Sequence, residues 1–202
     1  MFYASGHLVE MYSARKNEPT KVFAKFKENV TALCTRSDAR MFAVGMDSGV
    51  VQVLDVKNRL SLRLFDNHKK RVNALDYSNF NDLYSGGDDM TIRKFDVAAG
   101  SVVHSFGKAH SDYIKAIQSL QDNHLATAGY DGKIKFWDFR VQKGTTLEFD
   151  HGHPVEAIDR YPSGMAVVSC GGNNVSVWDV RASRQLYTGE SNKKLVTCVR
   201  VL

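Results

Sequence analysis

Hydrophobic and polar residues alternate in short runs along almost the whole chain. In one stretch these runs cover residues 112–117, 124–128, 133–137 and 145–149, and turns rich in Gly, Asn, Asp or Ser separate them. Alternation with a period of two over about five residues is typical of β-strands, whereas an amphipathic helix needs a longer run with a period of about 3.6. The pattern therefore predicts an all-β protein.

The runs recur at a fixed interval. A bulky residue followed by Asp closes four of them, and the Asp positions lie 41, 42 and 41 residues apart: Asp55, Asp96, Asp138 and Asp179. Other runs open with a branched apolar residue at nearly the same interval, at Val30, Val72, Ile114, Val155 and Val196. Four short strands in every 40 to 45 residues, roughly, are the pattern of a β-propeller blade.

This interval divides the chain into the blades of one propeller domain. We predict part of a blade at residues 1–24, complete blades at 25–66, 67–107, 108–149 and 150–190, and the first strand of a further blade at 191–202. Two arrangements remain open. The chain is either a segment of a ring of about seven blades, or a closed ring of five in which the last strand completes the first blade and hides both sheet edges.

Three of the strand–turn–strand segments resemble WD-repeat propellers: "YSGGDDMTIRKFD", "TAGYDGKIKFWD" and "VSCGGNNVSVWD". The resemblance implies a structural tetrad in one blade, formed by His110, Thr127, Asp131 and Trp137. Other blades keep fewer members. One has His68, Ser85 and Asp89 with Phe95 in place of Trp, the next has His151, Ser169 and Trp178 with Gly171-Gly172 in place of the acid, and the first complete blade has Phe26, Val44, Ser48 and Leu54.

An imidazole, a hydroxyl and a carboxylate together also raise the hypothesis of a catalytic triad. A triad is needed once in a protein, with an exposed nucleophile and an oxyanion site. Here the set is repeated and degrades from blade to blade, which a stabilising element tolerates. A histidine bonded to a carboxylate, a hydroxyl that donates and accepts, and an indole N–H can satisfy one another. We therefore predict no catalytic residue and a protein that is not an enzyme.

Composition and charge narrow the class of partner. The chain has 202 residues, is 43% hydrophobic and carries a formal net charge of +5. Its three cysteines lack the spacing of a zinc site or a disulfide framework, and no apolar run is long enough for a membrane span. We predict no metal, cofactor, membrane or small-molecule substrate.

One rim of the propeller is predicted to carry basic loop residues: Lys69, Lys70, Arg71, Lys193 and Lys194. These residues either bind RNA phosphates, or they are solvated or meet acidic proteins.

Two further segments resemble one WD-repeat family more closely: residues 149–186, "FDHGHPVEAIDRYPSGMAVVSCGGNNVSVWDVRASRQL", and residues 194–202, "KLVTCVRVL". They are similar to the WD-repeat subunit of the UtpA (t-Utp) subcomplex of the small-subunit processome, including its turn without an acid at Gly171-Gly172. This resemblance implies a non-catalytic scaffold in the nucleolus, within the nucleus, that acts in pre-rRNA processing and small ribosomal subunit biogenesis and supports rDNA transcription. The implied partners are other processome and UtpA proteins, with pre-rRNA or snoRNA at the basic rim loops.

A rival hypothesis comes from the opposite rim. "WDFR" ending at Arg140 and "WDVR" ending at Arg181 resemble the WDxR boxes of substrate receptors for cullin-RING ubiquitin ligases. An arginine at this position can also simply cover a strand edge. The alternative functions are therefore a ubiquitin-ligase substrate receptor or another WD-repeat scaffold, with Arg140 and Arg181 as candidate partner contacts.

Overall fold

The fold was analysed in a computed structural model, which describes residues 2–13, 18–79, 81–120, 123–141, 144–190 and 194–201. All regular elements among these residues are β-strands, and each pairs antiparallel with its neighbour in sequence. The prediction of an all-β protein is confirmed. The chain forms two compact units, the first containing sheets 1 to 3 and the second containing sheets 4 and 5.

The first unit contains one three-stranded and two four-stranded sheets. Sheet 1 consists of β1 (Phe2–Ser5), β2 (Leu8–Ser13) and β3 (Glu18–Lys25). Sheet 2 consists of β4 (Val30–Thr35), β5 (Met41–Met46), β6 (Val50–Asp55) and β7 (Ser61–Asp66). Sheet 3 consists of β8 (Val72–Tyr77), β9 (Asp82–Gly87), β10 (Ile92–Asp96) and β11 (Ser101–Phe106).

The second unit contains two four-stranded sheets. Sheet 4 consists of β12 (Ile114–Ser119), β13 (His124–Gly129), β14 (Lys133–Asp138) and β15 (Thr145–Asp150). Sheet 5 consists of β16 (Ala157–Arg160), β17 (Ala166–Gly171), β18 (Asn174–Asp179) and β19 (Arg184–Glu190). The order of strands in each sheet follows the sequence, so each strand is hydrogen-bonded to the strand before it or after it in the chain.

The core lies between neighbouring sheets of the same unit. In the first unit, one cluster joins sheets 1 and 2 around Phe42 and a second joins sheets 2 and 3 around Val72 and Phe95. In the second unit, a cluster joins sheets 4 and 5 around Phe136 and Trp178. The second strand of each four-stranded sheet is buried from its second residue to its last.

The recurrent apolar positions of the sequence connect successive sheets through the backbone. The N–H of Val30 donates to the carbonyl of Gly6 at 2.8 Å, and the N–H of Val155 donates to that of Gly129 at 3.1 Å. Val196 N–H makes the corresponding bond to Gly172 at 2.8 Å. Each of these three bonds ties the start of one repeat to the sheet before it, at the turn after β1, at the end of β13 or at the turn after β17.

One predicted strand begins later than expected, and another lies partly outside the described residues. The run predicted to open at Val155 becomes a strand only at Ala157. The first strand of a further blade, predicted within 191–202, stays a prediction, because part of that range is not described; residues 194–201 themselves are not in a strand. A strand requires a hydrogen-bonded neighbour, and residues 194–201 pair with none of the described strands; residues 191–193 and 202 lie outside the described part of the chain.

Candidate functional site

Sheet 4 brings together the four side chains that the WD-repeat resemblance selects. His110 lies in the loop before β12, Thr127 on β13, Asp131 in the turn after β13 and Trp137 on β14. His110 Nδ1 lies 3.0 Å from both carboxylate oxygens of Asp131, and His110 Nε2 lies 2.8 Å from Thr127 Oγ1. The indole N–H of Trp137 donates to the same hydroxyl at 2.8 Å. The four groups therefore form one chain of hydrogen bonds across three segments of the sheet.

Each group in this chain has a partner of the right kind. An ionised carboxylate only accepts, so His110 Nδ1 donates to Asp131. The backbone N–H groups of Ser111 and Lys133 donate to Asp131 as well, at 3.0 and 3.1 Å. Burial alone would raise the pKa of Asp131, but its hydrogen bond with His110, the charge of His110 and these backbone donors outweigh burial and lower the pKa to about 2.

A glycine beside the histidine–aspartate pair is required by space. A Cβ atom on Gly129 would lie 2.8 Å from His110 Nδ1 and 2.9 Å from Asp131 Oδ1. Contacts that short displace one of the two polar groups. The small residue at the end of β13 is therefore part of the same construction as the tetrad.

Sheet 3 contains a related arrangement with an additional cation. His68 Nδ1 lies 2.9 Å from Asp89 Oδ1, and His68 Nε2 contacts the Ser85 hydroxyl. Arg93 donates to Asp89 Oδ2 at 3.0 Å, and the same guanidinium nitrogen lies 2.6 Å from His68 Nδ1. Burial raises the pKa of Asp89, but its hydrogen bonds with His68 and Arg93 outweigh burial and lower the pKa. Burial also lowers the pKa of His68, with a smaller contribution from the charge of Arg93.

Sequence analysis did not identify Arg93. The available signal was its position four residues after Asp89 and two before Phe95, where sheet 4 has Lys135. Lys135 also points a cation inward, because its ammonium donates to the carbonyl of Ala109 at 3.1 Å. A basic residue at this register position therefore approaches the histidine loop in both sheets.

Sheet 5 keeps the histidine and the hydroxyl but reverses the ring. His151 Nδ1 lies 3.0 Å from Ser169 Oγ, and Nε2 lies 3.3 Å from the carbonyl oxygen of Gly171. Trp178 still donates its indole N–H to Ser169, at 2.8 Å. The carbonyl only accepts, so Nε2 carries the proton and Nδ1 accepts from the serine hydroxyl. Burial, without a carboxylate bonded to the ring, lowers the pKa of His151.

Sheet 2 has no polar chain at the corresponding positions. Phe26, Val44 and Leu54 belong to the apolar cluster between sheets 1 and 2. Ser48 is exposed, and its backbone N–H donates to Glu28 at 3.2 Å. Apolar packing replaces hydrogen bonding at this place in the first complete repeat.

The hydroxyl groups of these arrangements are inaccessible. Thr127, Ser85 and Ser169 are each 0% exposed, and His110 is 2% exposed. A nucleophile must meet its substrate, and a hydroxyl that already bonds an imidazole and an indole inside a sheet stack cannot do so. The geometry therefore supports tying a loop and a turn together rather than chemistry on a substrate.

The predicted basic rim lies in separate loops. Lys69, Lys70 and Arg71 are exposed in the connection from β7 to β8. The backbone N–H of Lys69 donates to Asp89 at 3.1 Å, so the histidine site of sheet 3 also anchors this basic loop. Arg71 Nε lies 3.4 Å from Asp47 Oδ1. Lys194 is exposed in the second unit, and Lys193 lies outside the described residues.

The two arginines of the opposite rim have different surroundings. Arg140 donates to its neighbouring carboxylate, with Nη2 2.8 Å and Nε 2.9 Å from Asp138 oxygens. This hydrogen bond lowers the pKa of Asp138 to about 2. Arg181 is exposed, and no described carboxylate forms an ion pair with it.

In the described part of the chain, no group of three or more His, Cys, Asp or Glu side chains is placed to hold a metal ion. The described ranges also contain no helix with the length and hydropathy of a membrane span. Cys34, Cys170 and Cys198 are free thiols.

Comparison with known proteins matches the repeat to a family. The family model "WD domain, G-beta repeat" matches residues 59–96 and 100–138. The chain is 36% identical over 95% of its length to the U3 small nucleolar RNA-associated protein 15 homolog of Xenopus laevis, of which it spans 38%. It is 35% identical over 96% of its length to the Protein SLOW WALKER 1 of Arabidopsis thaliana, of which it spans 37%.

A solved structure supports the same fold. The chain superposes on a chain of "Crystal structure of RRP9 WD40 repeats" with a TM-score of 0.84 and 22% identity, covering 94% of this chain and 59% of that one. The predicted WD-repeat β-propeller class is confirmed. Because the chain spans 38% and 37% of the Xenopus and Arabidopsis relatives, their activities and partners belong to longer proteins.

Proposed function

We propose that this chain is a scaffold of small-subunit ribosome biogenesis. The proposal rests on its WD-repeat β-propeller fold and on its similarity to U3 small nucleolar RNA-associated protein 15 homologs over about 95% of its length. It acts without catalysis, by presenting surfaces to other proteins of the small-subunit processome and its UtpA subcomplex. Its place of action is the nucleolus, within the nucleus, and its role is in pre-rRNA processing, with support of rDNA transcription.

One observation carries the scaffold part of this proposal. The hydroxyl of Thr127 is 0% exposed and lies 2.8 Å from both His110 Nε2 and Trp137 Nε1. The group that most resembles a nucleophile is therefore fully engaged inside sheet 4. The ribosomal part of the proposal rests on the similarity to the named relatives, which covers 95% of this chain for the Xenopus laevis protein.

Purification from nucleolar extract tests this function. The tagged chain is recovered under mild salt, and the bound proteins and RNA are identified. We expect processome subunits and U3 snoRNA, and we expect pre-rRNA to accumulate when the protein is depleted. Recovery of a cullin-RING ligase adaptor without processome subunits would instead support the rival substrate-receptor hypothesis, for which Arg140 is poorly placed because Asp138 already binds it.

A second proposal concerns direct RNA binding at the basic rim. Lys69, Lys70 and Arg71 are exposed side by side, and each phosphate contact releases counterions and adds to the salt dependence of binding. Changing all three to Ala is expected to weaken binding to a pre-rRNA fragment and to lower the slope of log affinity against log salt by about 2 to 3. An unchanged slope contradicts RNA contact at this loop, and Arg59→Ala serves as a control on an exposed arginine elsewhere in the first unit.

A further inference from the structure

A groove opens between sheets 4 and 5 at the end opposite the histidine sites. In sheet 4 it lies beside the connections from β12 to β13 and from β14 to β15, and in sheet 5 beside those from β16 to β17 and from β18 to β19. Its volume is about 420 Å³. A volume of this size lies within the range of protein sites that take a small ligand or a few residues of a peptide. The side chains on its walls that carry the argument are Leu120, His124, Phe136, Leu147, Val180 and Arg181.

The floor of the groove is apolar. Leu120 and Phe136 are almost fully buried, and Leu147 and Val180 pack against the same cluster. The apolar surface continues outward to Met165, which is 45% exposed and whose carbonyl accepts the backbone N–H of Val180 at 2.9 Å. Burial of a large apolar side chain of a partner against this floor is therefore favourable, because it removes apolar surface from water.

The charge at the wall of the groove is positive. His124 Nε2 lies 3.5 Å from Asp138, and Asp138 forms an ion pair with Arg140, so the charge of Arg140 is compensated. Arg181 on the other wall is exposed and has no ion pair with any described carboxylate. The adjacent Asp179 accepts the backbone N–H of Ala182 at 2.8 Å. A guanidinium beside an apolar floor is complementary to a carboxylate next to an apolar side chain.

We propose that this groove binds a short extended peptide segment of a partner protein, in which an apolar side chain is followed by Asp or Glu. The apolar side chain enters between Phe136 and Val180, and the carboxylate accepts hydrogen bonds from Arg181. The groove has one uncompensated arginine and a buried floor, whereas single-stranded RNA is bound by several cations along its backbone and by exposed aromatic faces. The proposal specifies the partner chemistry of the scaffold function, and it rests on that function only for the identity of the partner.

A peptide titration tests the groove without any processome protein. The ¹⁵N-labelled chain is titrated with acetyl-Gly-Ser-Leu-Asp-Glu-Ser-Gly-amide and, in parallel, with the same peptide carrying Lys at both acidic positions. We expect the acidic peptide to shift the amide signals of residues near Leu147, Gly164 and Arg181 and to bind about tenfold more tightly than the basic one. Absence of these shifts up to about 1 mM peptide, or equal binding of the two peptides, overturns the proposal.

Substitutions localise the interaction. Arg181→Glu is expected to reverse the preference, so that the basic peptide binds more tightly, and Thr146→Trp, placed at an exposed position of the groove wall, is expected to reduce binding of both peptides about tenfold or more. Lys194→Gln removes an exposed charge outside the groove and is expected to change neither affinity by more than about twofold. Unaltered preference in Arg181→Glu, or binding of a hexanucleotide RNA in place of the peptide, overturns the proposal. Because this assay contains no ribosomal component, its failure leaves the nucleolar purification as a separate test of the scaffold function.

Discussion

In sheet 4, His110 bonds to the carboxylate of Asp131, whereas in sheet 5 the corresponding His151 bonds to the carbonyl of Gly171. The turn after β13 has three residues, 130–132, and the turn after β17 has two, 172 and 173. The shorter turn, Gly172-Asn173, contains no acid, and the imidazole is reversed so that its Nε2 meets the backbone carbonyl of Gly171. In both sheets the hydroxyl receives the indole N–H at 2.8 Å.

The comparison separates what the repeat requires from what it tolerates. Sheets 4 and 5 both tie the entering loop to a central strand, and in sheet 5 a carbonyl accepts the imidazole N–H as a carboxylate does in sheet 4. The two solutions differ in strength and in charge. A hydrogen bond to an ionised carboxylate contributes about 1.5 to 3 kcal/mol, and one between neutral groups about 0.5 to 1.5 kcal/mol. The hydrogen-bond chain of sheet 4 is therefore expected to contribute more to the stability of its sheet than that of sheet 5 does.

Removing the carboxylate of sheet 4 is expected to have the largest effect. Asp131→Ala leaves His110 Nδ1 and the N–H groups of Ser111 and Lys133 without their acceptor, and we expect the free energy of unfolding to fall by about 3 kcal/mol. Urea denaturation measures this change. Asp150→Ala, which removes a mostly exposed carboxylate of the same sheet, should cost less than about 1 kcal/mol. Equal losses for the two variants would refute the special role of Asp131.

Removing the hydroxyl from each sheet is expected to have a smaller and more equal effect. Thr127→Val and Ser169→Ala each leave an imidazole nitrogen and an indole N–H without a partner inside the sheet. We expect each to lower the free energy of unfolding by about 2 kcal/mol, again by urea denaturation. Thr145→Val, at an exposed position of β15, is the control and should be close to neutral. A loss confined to one of the two sheets would mean that the hydroxyl is not their common element.

Acid should affect sheet 5 at a higher pH than sheet 4. The pKa of His151 is lowered in the folded protein, so the unfolded chain takes up a proton first as the pH falls below about 6.5, and stability is lost from there downward. The pKa of Asp131 is lowered to about 2, so its contribution is present above its ordinary value of 3.8 and is lost between there and about pH 2.

The His151→Gln variant isolates the contribution of sheet 5. It removes the titrating group, so the difference in the free energy of unfolding between the natural protein and the variant should narrow as the pH falls from about 7.5 to about 5. His68, whose pKa is also lowered, acts in the same direction in both proteins and cancels from the difference. A difference that stays constant over this range contradicts a lowered His151 pKa.

Substitution of the two arginines of the opposite rim is expected to give the smallest changes in the free energy of unfolding. Arg140 pairs with Asp138, yet its side chain is 55% exposed, so Arg140→Ala is expected to cost less than about 1 kcal/mol. Arg181→Ala breaks no described ion pair and should change stability by less than about 0.5 kcal/mol. Thermal unfolding compares the two. A larger loss in Arg181→Ala would show that this side chain is a structural contact rather than an available one.

Much of the fold could be predicted because each repeat is marked by short local patterns of alternating residues and turn residues. Alternation and turn residues gave the strands of sheet 4 to within one or two residues, with His124 and Lys133 as observed first residues of β13 and β14. The first strand of a further blade, expected within residues 191–202, stays a prediction, because residues 191–193 and 202 lie outside the described part of the chain.

The site was less accessible to sequence reasoning where geometry decides. The sequence indicated that His110, Thr127, Asp131 and Trp137 share one blade. It did not indicate the reversed ring of His151, because which ring nitrogen faces the turn depends on the length of that turn. Arg93 was missed for a similar reason: a charged residue on a strand is usually solvated, and only its approach to His68 and Asp89 reveals its role.

Hydrogen exchange at the two tryptophans tests the central claim most directly. The chain contains two Trp residues, Trp137 in sheet 4 and Trp178 in sheet 5, so their indole N–H signals report the two sheets separately. We predict that both indole protons are protected in the natural protein and that Asp131→Ala accelerates exchange at Trp137 much more than at Trp178. Rapid exchange of the Trp137 indole in the natural protein, or equal acceleration of both in Asp131→Ala, would contradict an internal hydrogen-bond chain that stabilises its own sheet.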